Sequence, residues 1–159
     1  MEPEDLELLY RIENAPELWQ VGSTNVPYSK HLLQDFITRS TGDIYTDKQV
    51  RLMVDNDKGE TVGIADIMNF DPRHMRAEVG IVIRPAYRRQ GYGLATLHLL
   101  LDYGRQTLHL HQLFAVVSCA NEASRALFLR AGFTASCELK DWLREGNGYR
   151  PAVVMQTFL

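Results

Sequence analysis

The sequence has little cysteine, little net charge and no long apolar run. Its two cysteines, Cys119 and Cys137, lack CxxC spacing, which argues against a disulfide framework and predicts two free thiols. The formal net charge of −3 provides no overall basic field for nucleic acid or an anionic membrane surface. The longest apolar stretch, at 94–101, is interrupted by Thr96 and His98 and is too short to span a bilayer. We therefore expect no nucleic-acid partner and no membrane partner.

Further absences narrow the class of protein. The N-terminus has no basic segment followed by an apolar one, so we expect no signal peptide and a cytoplasmic location. His109 and His111 have no other ligand types at metal-site spacing, so we expect no metal. There is no repeat and no linker, and the 159 residues are 45% hydrophobic. That length and composition predict one globular domain over 1–159.

Hydrophobic periodicity predicts an α/β fold with a strand–helix–strand crossover in its middle. Loops are expected at 22–27 and 40–47. Because the run at 77–83 is almost continuously apolar, we expect that strand to be covered on both faces. The predicted elements are a helix over 3–14, a helix capped by Ser29, a hairpin of strands 50–54 and 61–68, a strand over 77–83, a buried helix over 91–107, a strand over 113–117, a helix from Asn121 to Gly132, and a closing hairpin of 136–143 and 152–158.

The segment from Ile83 to Thr96 carries the clearest chemical signal. A buried strand enters a tight turn that contains Arg88, Arg89, Gly91 and Gly93, and a buried helix follows. Backbone N–H groups at a helix start have no internal partner, and glycine lets that backbone approach a ligand closely. The pattern therefore predicts a site for phosphate or pyrophosphate, to which the arginines add charge-assisted hydrogen bonds.

Spacing alone leaves the ligand of this turn open. A P-loop needs Lys-Ser/Thr after its second glycine, and the sequence has none there. The dinucleotide fingerprint needs a third small residue where Thr96 stands and an acid on the next strand, and both are missing. A glycine turn with solvated arginines, without any ligand, is the remaining alternative.

A family resemblance narrows the choice. The segment Arg88-Arg89-Gln90-Gly91-Tyr92-Gly93 resembles the Arg/Gln-x-x-Gly-x-Gly/Ala motif of the GNAT acetyltransferases. Asn121-Glu122-Ala123-Ser124 with Ala131-Gly132-Phe133 resembles the family's next motif, and the resemblance extends over nearly the whole chain. Arg76-Ala77-Glu78 is typical of the branch that holds ribosomal-protein N-terminal and spermidine/diamine acetyltransferases. The implied fold is a mixed, mostly antiparallel twisted sheet flanked by helices.

The resemblance also implies a cosubstrate, acetyl-CoA, and no metal. The backbone of the strand would pair with the pantetheine arm, the turn would hold the pyrophosphate, and Asn121 would bond the pantetheine unless it only caps its helix. The expected cofactor-binding residues are Ile81, Val82, Ile83, Arg88, Arg89, Gln90, Gly91, Tyr92, Gly93, Leu94, Ala95, Thr96, Asn121, Ser124 and Phe128, with Arg130 alongside.

In this family an amine attacks the thioester directly, so the amine must first lose a proton. A side-chain amine with a pKa of about 10.4 costs roughly 4–5 kcal/mol to deprotonate at pH 7. Glu78, at the start of the apolar strand, is the candidate catalytic base, with a solvated position or an ion pair with Arg76 as the alternatives. Asp66 on the neighbouring strand is a second carboxylate that could hold a cationic acceptor.

The sequence departs from the family in two places. Phe128 stands where a tyrosine is expected to protonate the leaving thiolate. Either the step proceeds without an acid, or another group substitutes, or activity is lost; the candidate substitutes are Tyr92, Tyr149, Ser118 and Cys119. Only two residues precede Pro3, so we expect the first strand to be missing and its neighbour to be an exposed edge or covered by a second chain.

The sequence thus predicts an N-acetyltransferase whose acceptor is a small amine, a polyamine or a protein N-terminus. Two alternatives from other classes are a catalytically silent acyl-CoA-binding module, suggested by Phe128, and a nucleotide-phosphate binder. A homodimer is plausible from the exposed edge.

Overall fold

The computed structural model describes residues 1–16 and 27–159, so nearly all of the loop predicted at 22–27 lies outside the described residues. A 3-10 turn at Pro3–Asp5 precedes the first helix. The helices are α1 (Leu6–Glu13), α2 (Lys30–Arg39), α3 (Ile44–Asp47), α4 (Tyr92–Gln106) and α5 (Glu122–Arg130). The strands are β1 (Val50–Asp55), β2 (Thr61–Asp71), β3 (Arg76–Ile83), β4 (Gln112–Ser118), β5 (Thr134–Glu145) and β6 (Gly148–Phe158).

The six strands form one sheet in the order β1-β2-β3-β4-β6-β5. Only β3 and β4 are parallel, and they are joined by the crossover helix α4. All other neighbours are antiparallel, which confirms the predicted mixed, mostly antiparallel α/β fold. Among the described residues β1 pairs with β2 alone, so its other edge is open, as expected for a sheet without the family's first strand.

Helices cover the two faces of the sheet unequally. On one face α4 and α5 bury Leu97, Leu100 and Phe128 against strand residues such as Leu113 in the main core. On the other face α1 and α2 build a smaller core over β1, β2 and the end of β3; its buried members are Leu9, Ile12, Leu33 and Ile64. The second face of β4 and β6 therefore has no helix over it in the part of the chain that is described, and side chains there are half-buried.

Several local predictions are confirmed. Asn121 caps α5 by accepting a hydrogen bond from the Ser124 amide at 3.0 Å, and Gly132 ends that segment with φ of 92°. The turn between β1 and β2 closes where the Asn56 amide bonds the Glu60 carbonyl at 3.0 Å. These features depend on neighbouring residues only, because caps and tight turns satisfy their own backbone groups.

Two structural predictions were wrong in part. The expected loop at 40–47 contains the one-turn helix α3, which Asp43 caps by accepting from the Tyr45 amide at 2.9 Å and which buries Ile44. The strand at 77–83 was expected to be covered on both faces, but only Ala77 and Val79 are buried and the rest of β3 is half-buried. Its second half lies beside a gap in the sheet.

No helix within residues 1–16 and 27–159 is long and apolar enough to cross a membrane. The same residues contain no group of three or more His, Cys, Asp or Glu side chains arranged to hold a metal ion. Both cysteines are free thiols; Cys119 is half-buried and Cys137 is exposed.

Candidate active site

Strands β3 and β4 pair over only three residue pairs and then separate. The pairs are Arg76 with Gln112, Ala77 with Leu113, and Glu78 with Phe114. Beyond them β3 continues to Ile83 while still paired to β2, and β4 continues to Ser118 while still paired to β6. The two strands therefore form a V-shaped gap with no described strand between them, and an extended ligand can hydrogen-bond there as an additional strand would.

The direction of the β3 main chain can be read from contacts on its other side. The Arg84 amide bonds the Val62 carbonyl at 2.9 Å, and the Val82 carbonyl also faces β2, against Gly63. Because successive peptide groups alternate in direction along a strand, the main-chain groups of Ile81 and Ile83 face the gap. Of the three residues predicted to pair with pantetheine, these two therefore face the gap and Val82 faces away from it.

The turn after β3 exposes a continuous run of backbone donors. Arg89 and Gly91 have positive φ, 63° and 90°, and the first helical hydrogen bond of α4 is donated by Ala95 to the Gly91 carbonyl at 3.1 Å. Within the described chain, the six amides from Arg89 to Leu94 have no hydrogen-bond acceptor. Unpartnered amides at the positive end of a helix are suited to a phosphate or pyrophosphate.

The two motif glycines have different reasons to be glycine. Gly91 needs its left-handed φ, and open space lies where its Cβ would be. At Gly93 a Cβ would lie 3.0 Å from Leu127 Cδ2 and 3.7 Å from side-chain carbons of Ile81 and Ile83. Gly93 therefore brings the start of α4 close to both α5 and the edge of the gap.

Hydrogen bonds and ring packing of side chains stabilise this turn. Arg88 donates through Nε to the Ile83 carbonyl at 2.9 Å, and Gln90 donates to the Ala86 carbonyl at 3.0 Å. Tyr87 and Tyr92 pack edge to face with ring centroids 6.3 Å apart. Arg89 is exposed and makes no hydrogen bond or ion pair within the described chain, so its guanidinium is available to a ligand.

The remaining predicted cofactor residues divide by exposure. Leu94 and Ser124 are half-buried, whereas Ala95 and Arg130 are exposed. Thr96, which is 4% exposed, donates its hydroxyl to the Tyr92 carbonyl at 2.8 Å. For all of these residues, contact with the cofactor stays a prediction.

Phe128 is part of the core. Its side chain is 3% exposed and packs edge-on against Phe133, with ring centroids 5.0 Å apart. The ring has no proton to donate. Of the proposed substitutes, Ser118 and Cys119 are half-buried at the end of β4, and Tyr149 is 63% exposed on β6.

Glu78 stands at the apex of the gap, as the last β3 residue paired with β4. It is half-buried, and its Oε2 accepts a hydrogen bond from Asn69 Nδ2 at 2.7 Å. Arg76 pairs instead with Asp71 at 3.2 Å, so the alternative that Glu78 is held by Arg76 is wrong. Along the same face of β3, Gly80 follows Glu78, and Met68 packs over it, since a Cβ at Gly80 would lie 3.0 Å from Met68 Cε.

Asp66, which was considered as a site for a cationic acceptor, already has a partner. Arg51 on β1 binds it through Nε at 2.6 Å and Nη2 at 3.2 Å, and also contacts Glu13 on α1. Burial lowers the pKa of Arg51, but the hydrogen bonds and charge of Asp66, helped by Glu13, raise it on balance. Two half-buried carboxylates share one guanidinium, so this cluster has a net charge of −1.

A concavity of about 310 Å³ opens on the same side of the sheet, next to Glu78. Phe114 and Val154 provide apolar walls, and Gln156 donates to Gln112 across the floor at 2.9 Å. Its lining residues are Asn69, Asp71, Arg76, Gln112, Phe114, Val154 and Gln156. Sequence reasoning missed Asn69, Gln112 and Gln156, because no local pattern shows that ends of four strands meet there.

Comparison with known families decides the assignment. The family model for the acetyltransferase (GNAT) domain matches residues 1–134. The chain belongs to the GNAT acetyltransferase family. The protein is an acetyl-CoA-dependent N-acetyltransferase. That its acetyl-CoA lies in the turn and along β3 stays a prediction.

Individual relatives point to one branch of the GNAT family. The chain is 28% identical to the spermidine N(1)-acetyltransferase of Escherichia coli (strain K12) over 159 residues, which is 99% of this chain and 83% of that protein. It is 33% identical over 92 residues to the uncharacterized N-acetyltransferase YoaA of Bacillus subtilis (strain 168), covering 58% of this chain and 51% of that protein. The crystal structure of spermidine N-acetyltransferase from Vibrio cholerae in complex with CoA and spermine shares the fold, with a TM-score of 0.89 and 21% identity over 99% of this chain and 92% of that one. None of these relatives supports a silent binding module.

Proposed function

We propose that this GNAT enzyme acetylates a primary amine of a polyamine, with Glu78 as the base. The observation that carries the proposal is the position of Glu78 at the apex of the gap between β3 and β4, beside the main chain of Ile81. A thioester whose pantetheine pairs along β3 would place its carbonyl near this apex. The amine then needs a proton acceptor at the same place.

The proposed chemistry is direct acyl transfer. Glu78 takes a proton from the ammonium group, directly or through one water, and the neutral amine attacks the thioester carbonyl carbon. A C–N bond forms, the C–S bond breaks, and the thiolate leaves with the electron pair. At a thiol pKa of about 8.5, leaving as thiolate at pH 7 costs about 2 kcal/mol relative to the protonated thiol, so the step can proceed without a side-chain acid where Phe128 stands.

The polyamine class is supported by charge and by relatives. Glu78 and the net −1 cluster of Glu13, Arg51 and Asp66 lie on the face of the sheet from which an acceptor can reach the gap. Two relatives among the comparisons are named spermidine acetyltransferases. A cation with several ammonium groups would benefit from this excess of carboxylate, whereas a neutral amine would not.

An acceptor panel tests the proposal. Purified protein is incubated with acetyl-CoA and spermidine, spermine, a simple monoamine or a peptide with a free N-terminus, and the release of free thiol is measured. We expect the polyamines to give the highest kcat/KM. If only the peptide caused release of free thiol, the acceptor would be a protein N-terminus and not a polyamine. If the protein bound CoA but released no thiol with any of the amines, the assignment as an enzyme would be contradicted.

The catalytic role of Glu78 has a matched test in the same assay. Glu78→Gln keeps the shape and removes the base, so we expect kcat to fall about 100-fold or more. Glu138→Gln on the exposed strand β5 removes the same charge far from the gap and serves as the control.

A cytoplasmic location and a homodimer are also part of the proposal. The free thiols of Cys119 and Cys137 support the location, because such thiols are typical of a reducing compartment. Sedimentation tests whether the protein is a homodimer.

A further inference from the structure

Strand β2 contains a bulge immediately after Met68, the residue that pairs with the base. Met68 pairs with Glu78, and the next pair is Asp71 with Arg76, so two residues of β2, Asn69 and Phe70, stand opposite one residue of β3. Extra residues of this kind redirect a side chain and occur often beside active sites. Here the bulge turns Asn69 toward Glu78 on the acceptor side of the sheet.

Phe70, the second residue of the bulge, is fixed on the core side of the sheet. Phe70 is 3% exposed in the main core and packs edge-on against Tyr45 with centroids 5.0 Å apart. Its amide bonds the Lys48 carbonyl at 3.0 Å. Because Phe70 is anchored twice, the position of its exposed neighbour Asn69 is fixed by the core and by main-chain bonding.

Asparagine suits this position for two separate reasons. The φ of Asn69 is 51°, in the left-handed region that asparagine tolerates better than most residues. Its amide also supplies the N–H that donates to Glu78 Oε2 at 2.7 Å. Among the described residues Glu78 Oε1 has no partner, so the bond leaves one carboxylate oxygen open toward the acceptor.

We propose that Asn69 is the positioning residue of the acetyl-transfer reaction, which orients Glu78; this rests on the role of Glu78 proposed above. Its hydrogen bond to Oε2 fixes the plane of the carboxylate at the apex of the gap. Asn69 thus fixes which oxygen of the base faces the amine.

Other charged groups near Glu78 bind one another and not Glu78. Asp71 and Arg76, two positions before Glu78 along β3, bind each other at 3.2 Å. Across Gly80, Arg51 holds Asp66 and Glu13. The β4 neighbours on that face, Phe114 and Gln112, are uncharged. Asn69 is therefore the one described side chain that donates a hydrogen bond to this carboxylate.

Two substitutions remove the Asn69–Glu78 hydrogen bond while they keep the left-handed backbone conformation at position 69. Asn69→Gly removes the donor but adopts the left-handed conformation freely, so the fold is retained. Asn69→Asp also tolerates that conformation and replaces the donor with a like charge. Lys48→Gly is the matched control, because Lys48 has φ of 58° near the bulge and no contact with Glu78.

The measurement is kcat and KM for spermidine, determined separately, with thermal unfolding of each variant alongside. We expect Asn69→Gly to lower kcat about tenfold with little change in KM. Asn69→Asp should lower kcat further, because it places a like charge beside the base, and Lys48→Gly should leave kcat unchanged.

Three results would overturn the inference. Wild-type kcat in Asn69→Gly would show that the bond has no part in catalysis while leaving the base assignment intact, provided that Glu78→Gln is inactive. An equal loss of kcat in Lys48→Gly would show a general effect of the bulge. Full activity of Glu78→Gln would overturn both the role of Glu78 and that of Asn69.

Discussion

Glu78 and Phe114 face each other as the last residue pair between β3 and β4. Beyond that pair, no described strand lies against the facing edges of the two strands, whereas each strand remains paired on its outer side. The same pair thus marks where the sheet stops being continuous and where a carboxylate lies beside the gap. In the proposed mechanism, it places the base next to the strand that pairs with the pantetheine.

We predict that CoA binding requires the left-handed conformation of Gly91. Gly91→Ala forces a Cβ into the left-handed region, at a cost of about 1–2 kcal/mol, and turns the following amides from their common direction. We expect the dissociation constant for CoA, measured by calorimetry, to rise about tenfold. Gly42→Ala has a similar φ of 72° and open space around it, so it controls for strain alone. Equal CoA affinity in both variants would contradict the role of the turn.

Phe128→Tyr tests whether a side-chain acid is missing. Because the thiolate costs only about 2 kcal/mol at pH 7, a new hydroxyl can accelerate the reaction by at most about 30-fold. Phe128 is also buried against Phe133, which restricts where that hydroxyl can go. We expect kcat of Phe128→Tyr to lie within tenfold of wild type. A rise above 100-fold would show that thiolate protonation limits the wild-type enzyme.

Some of these features were predictable from sequence and others were not. The cap at Asn121 and the end of α5 at Gly132 depend on neighbouring residues, and both were predicted. The family motif at 88–93 correctly indicated a turn that leads into a helix, which begins at Tyr92. The length of the β3–β4 pairing and the bulge at Asn69 depend on strands far apart in sequence, so no local pattern could reveal them. The partner of Asp66 was missed for the same reason, since Arg51 lies on another strand.

Gly63 is required where β2 passes β3. A Cβ at Gly63 would collide with the Val82 carbonyl oxygen and lie 2.9 Å from Ile83 Cδ1. Because the first of these atoms is main chain, it cannot move aside cheaply, and we expect Gly63→Ala to lower the free energy of unfolding by about 1–3 kcal/mol in urea titration. Gly148→Ala, whose Cβ would lie 3.9 Å from the nearest atom, is the control. Equal stability of the two variants would refute the packing argument.

Asp43 makes part of the stability pH-dependent. The Thr46 hydroxyl, at 2.6 Å, and the Tyr45 amide lower the pKa of Asp43 below its ordinary value. Because the pKa of this carboxyl is lower in the folded state than in the unfolded state, its ionised form stabilises the fold at pH values above the unfolded-state pKa. That stability is lost as the pH falls below about 4. Asp43→Asn retains a capping side chain without the titration, so its stability should fall less steeply in acid. An unchanged slope in Asp43→Asn would contradict this account.

The most direct test of the central claim is the response of backbone amides to CoA. Titration of the ¹⁵N-labelled protein with CoA should shift the amide resonances of Arg89 to Leu94 and of Ile81 and Ile83 most strongly, because these groups face the proposed pyrophosphate and pantetheine. Binding of CoA that leaves the Arg89–Leu94 amides unmoved, or no binding at all, would contradict the account.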